Sequence, residues 1–168
     1  MFANDEKLRQ HLYYSHNFGH NGPIGFHGLG INGKISELQA AMGLAVFPYM
    51  NDILESRKEV VDYYNSYLNF DKLQKMRIRE STEWNYSYYP VIFESEQQLL
   101  QVQKALNDQQ IFPRRYFFPS LNTIEYVKGQ KMPVSEDISS KILCLPLYKG
   151  LDTSDLEKLV RLINTNLS

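Results

Sequence analysis

The residues best suited to chemistry lie in one glycine-rich stretch, GHNGPIGFHGLGINGKISELQAA, at positions 19–41. Six of the nine glycines in the chain fall within 19–33. Glycine is favoured where the backbone takes a left-handed conformation or approaches another segment closely. Backbone donors ahead of a helix favour anions, and Asn32, Lys34 and Ser36 lie where they could assist. The stretch therefore predicts an anion site or a contact surface.

Histidines are concentrated in the same region, where His16, His20 and His27 follow His11. No cysteine or carboxylate lies at metal-ligand spacing from them. Hydrogen bonding of the imidazoles to a ligand or to the backbone is therefore favoured over a metal site.

A second candidate site is the pair Arg114 and Arg115, which with Tyr116 lies between Pro113 and Pro119. Adjacent residues of a strand point to opposite faces, so at most one arginine is expected to reach a given ligand. The other is then solvated or ion-paired. A guanidinium facing a phosphate or carboxylate would contribute about 1.5 to 3 kcal/mol per hydrogen bond.

Several function classes are disfavoured. The chain has no Gly-x-Ser-x-Gly elbow, Walker loop or zinc-protease helix. A predicted helix, not a strand, precedes the glycines, which argues against a dinucleotide fingerprint. With 18 basic and 19 acidic side chains, no overall field favours nucleic acid or an anionic membrane. The single cysteine, Cys144, is predicted to be buried, and a reducing cytoplasmic setting fits best.

The chain is rich in aromatic residues, with twelve tyrosines and nine phenylalanines. Clusters occur at 13–14, 86–89 and 116–118. The favoured explanation is packing on half-buried strands. Stacking against a sugar or a base is the alternative.

Five helical segments are predicted from capping and apolar periodicity. Asn4 is expected to cap a first helix that ends near Tyr14. Ser36 and Gln39 have capping-box spacing, and Pro48 should end or kink the helix that follows. The inward face predicted for this second helix consists of Leu38, Ala41, Met42 and Ala45. Further helices are predicted at about 49–69 and about 96–109. A final helix is predicted to be capped by Asp152 or Thr153 and to end near Asn166.

Strands are predicted at 73–78, 86–93, 111–118 and 141–148, and 122–139 is predicted to be an irregular connection. Pro90 argues for an edge position of the second strand. The predicted fold class is α/β, with an α+β small domain: a small, mostly antiparallel sheet packed with helices, plus a long kinked helix.

Three segments, GINGKISELQAAMGLA, PRRYFFPSLN and ILCLPLY, resemble the sugar aminotransferases of the DegT/DnrJ/EryC1/StrS family. These are fold-type I enzymes that use pyridoxal phosphate (PLP). The likeness covers essentially the whole chain and implies the C-terminal portion of such an enzyme. On that basis 1–34 would be the end of the large PLP domain with an interface loop, and 35–168 the small domain with its connecting helices.

The resemblance also implies the activity of the complete enzyme. A homodimer would move an amino group from glutamate, through PLP, to a keto-deoxy sugar linked to dTDP, for polysaccharide biosynthesis. The lysine that holds PLP is expected upstream of this chain, so no catalytic residue is assigned here and the chain alone is expected to be inactive.

Residue roles follow from the matched motifs. Asn32 matches an asparagine that reaches the PLP phosphate of the partner subunit. Asn122 replaces a histidine common in the family. The positions that the resemblance associates with the substrate are Lys34, Arg115, Tyr116, His16 and His20.

Two alternatives remain open. A PLP-dependent sugar dehydratase of the same family keeps the scaffold and replaces the lysine by histidine. A non-catalytic binding or dimerisation module would retain the small domain without chemistry.

Overall fold

The computed structural model describes residues 3–22, 25–125, 127 and 129–167. The fold divides into two compact units, Met1–Tyr49 and Met50–Ser168. The domain boundary expected after residue 34 stays a prediction. Among the described residues, no helix has the length and apolar character needed to cross a membrane.

The first unit opens with helix α1, Glu6–Ser15, and continues through the glycine-rich segment into α2, Glu37–Val46. Asp5 caps α1 by accepting a hydrogen bond from the Leu8 amide at 2.7 Å, so the predicted cap at Asn4 was wrong by one residue. The capping box of α2 is confirmed. The Gln39 amide donates to Ser36 Oγ at 3.2 Å, and the Ser36 amide donates to Gln39 Oε1 at 2.8 Å.

Helix α2 ends at Val46 and a 3-10 turn, Phe47–Tyr49, follows. This confirms the interruption predicted from Pro48, which has no amide hydrogen to continue the helix. The inward face predicted for α2 is wrong for this chain, because no residue of α2 is buried and Leu38 is 75% exposed.

The second unit is a three-stranded antiparallel sheet packed with helices, as predicted. The strand order is β1-β2-β3, with β2 in the middle. Its elements in chain order are α3 Met50–Tyr67, β1 Leu73–Lys75, β2 Tyr89–Phe93, α4 Glu96–Asn107, a 3-10 turn Leu121–Thr123, α5 Pro133–Lys141, β3 Ile142–Leu145 and α6 Thr153–Thr165.

The core of this unit lies between one face of the sheet and three amphipathic helices. Tyr89, Val91 and Phe93 alternate along β2 toward the core, as the two-residue period of a strand requires. The helical residues buried against them are Val60, Val61 and Tyr64 of α3, Leu99, Val102 and Leu106 of α4, and Leu156, Leu159, Val160 and Ile163 of α6. Each fully buried apolar side chain stabilises the fold by about 1.5 to 3 kcal/mol.

The edge position predicted from Pro90 is wrong, since β2 is the central strand. Cys144, opposite Pro90, exchanges both of its backbone hydrogen bonds with Arg114, so the Pro90–Cys144 pair needs no amide donor from β2. On the other side, β1 stops at Lys75 opposite Val91, one position before Pro90 would face it. The missing amide hydrogen therefore leaves no ladder bond unmade.

Two other predictions for this unit are wrong. The segment 111–118 is not a strand; it contacts the sheet through the single bridge between Arg114 and Cys144. The connection predicted for 122–139 contains most of α5, with Pro133 in its first turn, where the absent amide hydrogen has no helical partner to lose. Asp152 caps α6 as predicted, accepting from the Asp155 amide at 2.9 Å.

Candidate functional site

The glycine-rich segment is a closed loop whose two ends are joined by backbone hydrogen bonds. The Phe18 amide donates to the Ile31 carbonyl at 3.0 Å, and the Ile31 amide donates to the Ser15 carbonyl at 2.8 Å. The Gly33 amide donates to the His16 carbonyl at 2.8 Å. These bonds bring the C-terminal end of α1 beside the residues that lead into α2.

Close backbone contact inside the loop explains two of its glycines. A Cβ on Gly30 would lie 2.1 Å from the Gly19 nitrogen, and a Cβ on Gly19 would lie 1.9 Å from the Gly28 oxygen. Gly19 also has φ of +76°, which disfavours residues with side chains. Gly28, by contrast, faces open space. The close approach predicted from the sequence is thus confirmed at Gly19 and Gly30.

Asn32 and Lys34 lie where the loop closes. The backbone of Asn32 bridges that of Asn17, and the Asn32 side chain is exposed, with no hydrogen bond to any described residue. Lys34 Nζ donates to Asn17 Oδ1 at 2.8 Å and lies 4.4 Å from the centre of the Phe18 ring. The Lys34 ammonium group is therefore bonded within the loop, and the exposed Asn32 amide belongs to a residue two positions earlier in the chain.

The loop histidines have partners within the first unit. His16 Nδ1 lies 3.2 Å from the Leu12 carbonyl, and the His20 ring lies 4.8 Å from that of Phe26. The ring of His27 stacks on Tyr14 at 4.6 Å. Within the part of the chain that the structure describes, no group of three metal-ligating side chains occurs. Substrate roles for His16 and His20 stay predictions.

Arg115 is held inside the second unit. Its Nη2 donates to Glu96 Oε1 at 2.7 Å and to the Ser140 carbonyl at 2.8 Å, and its guanidinium lies 3.7 Å from the centre of the Phe118 ring. The side chain is 15% exposed. Arg115 thus joins the first turn of α4 to the last turn of α5, and its predicted contact with substrate stays a prediction.

Arg114 points elsewhere and has no ion pair with any described residue. Its guanidinium donates to the Tyr116 hydroxyl, and this hydrogen bond raises the pKa of Arg114 above its ordinary value. The Tyr88 ring meets the Tyr116 ring edge to face, with centres 5.3 Å apart. The sequence predicted that the two arginines would diverge, but it gave no sign of which one stays available.

Asn122 and Cys144 have structural partners. The Asn122 amide donates to Glu136 Oε1 at 2.7 Å and to the Gln130 carbonyl at 3.0 Å. The pKa of Glu136 is lowered by the Met132 backbone amide and then by Asn122. Cys144 is buried as predicted, and desolvation raises the pKa of its thiol.

Comparison with known proteins gives a consistent match. The family model described as the DegT/DnrJ/EryC1/StrS aminotransferase family matches residues 1–164. A dTDP-4-amino-4,6-dideoxy-D-glucose transaminase from Shigella dysenteriae is 30% identical over 96% of this chain and 46% of its own length. The chain therefore spans about half the length of the curated relatives that it matches, and it aligns with their C-terminal part.

Solved structures agree in fold. An aminotransferase from Brucella abortus superposes with a TM-score of 0.86 at 24% identity, covering 98% of this chain and 44% of its own. DesI, solved in the presence of its TDP-sugar product, superposes with a TM-score of 0.85 at 23% identity and likewise covers 98% of this chain and 44% of its own. At these identities the likeness shows the fold alone. Members of the family depend on PLP. On the family match, the chain belongs to the DegT/DnrJ/EryC1/StrS aminotransferase family.

Proposed function

We propose that the whole protein is a cytoplasmic nucleotide-sugar aminotransferase that transfers an amino group from glutamate to a keto-deoxy sugar linked to dTDP. The curated relatives at 26% and 30% identity are both named dTDP-4-amino-4,6-dideoxy-D-glucose transaminases, which supports this substrate class. The structural observation that carries the proposal is the exposed amide of Asn32, which has no hydrogen bond to any described residue and belongs to the same loop end as Lys34, whose ammonium is bonded to Asn17.

The loop residues fit one edge of a phosphate group. An amide and an ammonium are both hydrogen-bond donors, and no carboxylate among the described residues pairs with Lys34. They would not enclose a cofactor by themselves. The arrangement therefore suits a chain that adds donors to a PLP site built largely by other residues.

In this proposal the loop acts across a homodimer. Asn32 would donate to the PLP phosphate of the partner subunit, and Lys34 would lie near the substrate together with His16 and His20. When bound, PLP serves as the electron sink for amino transfer. The residues of this chain orient its phosphate and the sugar substrate. The division into 1–34, the end of the large domain, and 35–168, the small domain, belongs to the same proposal.

The exposed apolar side chains of α2 support a dimer contact. Leu38, Met42 and Leu44 are all exposed in this chain, although a helix with this composition normally buries part of its surface. A second subunit would remove them from water.

The experiment is amino transfer by the whole protein loaded with PLP. With ¹⁵N-labelled glutamate and a dTDP-linked 4-keto-6-deoxy sugar, we expect a dTDP-amino sugar that carries ¹⁵N, detected by mass spectrometry. Unlabelled glutamate is the matched control. Consumption of the sugar without nitrogen incorporation would favour the dehydratase alternative, and binding without any conversion would favour the non-catalytic module.

A further inference from the structure

An aromatic cleft lies in the second unit, where two adjoining cavities of about 430 and 340 Å³ share the lining residues Ser87, Tyr88, Tyr116 and Cys144. We call the two cavities together the aromatic cleft. The larger cavity is lined in part by Arg114, and the smaller cavity by Trp84, the only tryptophan in the chain. Together they have the size of a small-molecule site.

The cleft exposes an unusual amount of aromatic surface. Tyr88 is 54% exposed, and Phe112, Phe117 and Tyr148 are also exposed. An aromatic side chain that is buried removes about 150 to 250 Å² from water, so covering these rings with a ligand would be favourable. Planar rings that are held but uncovered can stack on a nucleobase, which contributes about 1 to 3 kcal/mol per base.

The charge in the cleft comes from Arg114. No carboxylate among the described residues pairs with it, and its guanidinium donates to the Tyr116 hydroxyl. Arg115 is less available, because its side chain is 15% exposed and its Nη2 already donates to Glu96 and to the Ser140 carbonyl. A guanidinium suits phosphate oxygens because its donors form a planar fork. The cleft thus combines one available cation with stacking surfaces.

We propose that the aromatic cleft binds the nucleoside diphosphate part of the nucleotide sugar, with the base against Tyr88 and Tyr116 and the diphosphate on Arg114. This inference rests on the proposed function and adds the site of the nucleotide. Arg114 and Tyr88 then select substrates by their nucleotide, while Arg115 holds α4 and α5 together.

Trp84 provides the measurement, because it lies in the smaller cavity with Tyr88 and Tyr116. Thymidine diphosphate is titrated into the chain and the tryptophan fluorescence is followed, with thymidine as the ligand without phosphate. We expect a saturable change with both ligands and tighter binding of the diphosphate. Absence of a saturable change with the diphosphate would overturn the proposal.

Variants separate the two parts of the site. R114Q should raise the Kd for thymidine diphosphate at least about tenfold and leave that for thymidine unchanged. Y88L should raise the Kd for both thymidine diphosphate and thymidine about tenfold. R161Q, at an exposed position on α6, is the matched control and should change neither. Wild-type affinity for the diphosphate in both R114Q and Y88L would contradict the proposal.

The same variants distinguish this inference from the function on which it rests. In the whole protein, R114Q should raise KM for the dTDP sugar and leave KM for glutamate unchanged. If ¹⁵N transfer occurs and R114Q leaves KM for the dTDP sugar unchanged, the cleft assignment fails and the aminotransferase function stands.

Discussion

At the scale of single residues, the adjacent arginines differ in their partners. The Arg115 guanidinium donates hydrogen bonds to Glu96 and to a carbonyl in the last turn of α5, whereas the Arg114 guanidinium donates to the Tyr116 hydroxyl. The predicted divergence rests on strand alternation, although the described segment 111–118 is not a strand and bridges the sheet at Arg114. Which one would be ion-paired depended on Glu96, nineteen positions earlier in the chain. A contact over that separation leaves no local signal in the sequence.

The ion pair of Arg115 should stabilise the second unit. E96Q weakens a hydrogen bond to a largely buried guanidinium, so the free energy of unfolding should fall by about 1 to 2 kcal/mol. Denaturant unfolding measures the change. E94Q, a neighbouring exposed glutamate, is the control and should stay within about 0.5 kcal/mol of wild type. Equal effects of the two variants would show that the ion pair contributes no stability.

The cap of α6 should titrate in acid. The pKa of Asp152 is lowered first by the Asp155 amide and then by Ser154. A carboxyl with a lowered folded pKa contributes stability that is complete above its unfolded pKa of about 3.9 and is lost as the pH falls through the folded value. D152N keeps a capping oxygen and removes the titration. Its thermal midpoint should therefore fall less steeply than that of wild type below about pH 4, and parallel curves would contradict the prediction.

At the scale of elements, the closed glycine loop depends on the contact between Gly19 and Gly30. G30A places a methyl group 2.1 Å from the Gly19 nitrogen, so the loop should open at a cost above about 1 kcal/mol. Hydrogen exchange at the Phe18 and Ile31 amides should accelerate about tenfold. G28A is the control, since its Cβ meets open space. Unchanged exchange in G30A would show that the loop tolerates the methyl group.

Elements with local signals were predictable from the sequence. The capping box of Ser36 and Gln39 lies within one turn, and the buried stripes of α3, α4 and α6 repeat at helical spacing. Helix α5 was missed because it buries only Ser139 and so has no apolar stripe. The position of Pro90 was mispredicted because it depends on where β1 ends and on the contact between Arg114 and Cys144.

At the scale of the whole molecule, α2 presents apolar side chains that this chain does not cover. In the proposed homodimer, M42R should weaken subunit association by an order of magnitude or more, because an uncompensated charge would enter the interface. Sedimentation at several protein concentrations measures the dissociation. L100R, at an exposed leucine of α4, is the control and should leave the dimer intact. Dissociation by both variants alike, or by neither, would argue against an interface on α2.

The candidate site divides into a part that the sequence predicted and a part that it did not. The six glycines of the loop, Asn32 and Lys34 lie within sixteen consecutive positions, so their proximity was predictable. The aromatic cleft joins residues near 88, 114 and 148, which meet only because the antiparallel sheet places β3 beside β2. Sequence spacing could not predict that arrangement.

The central claim is that Asn32 completes the PLP site of another subunit. The most direct test mixes two variants of the whole protein: N32A, and a variant lacking the lysine that holds PLP. In a shared site, the hybrid dimer has one intact centre, and random mixing should restore about one quarter of wild-type amino transfer. Each variant alone should be strongly impaired. If mixing gives no gain over the separate variants, Asn32 acts within its own subunit or not at all, and the claim is contradicted.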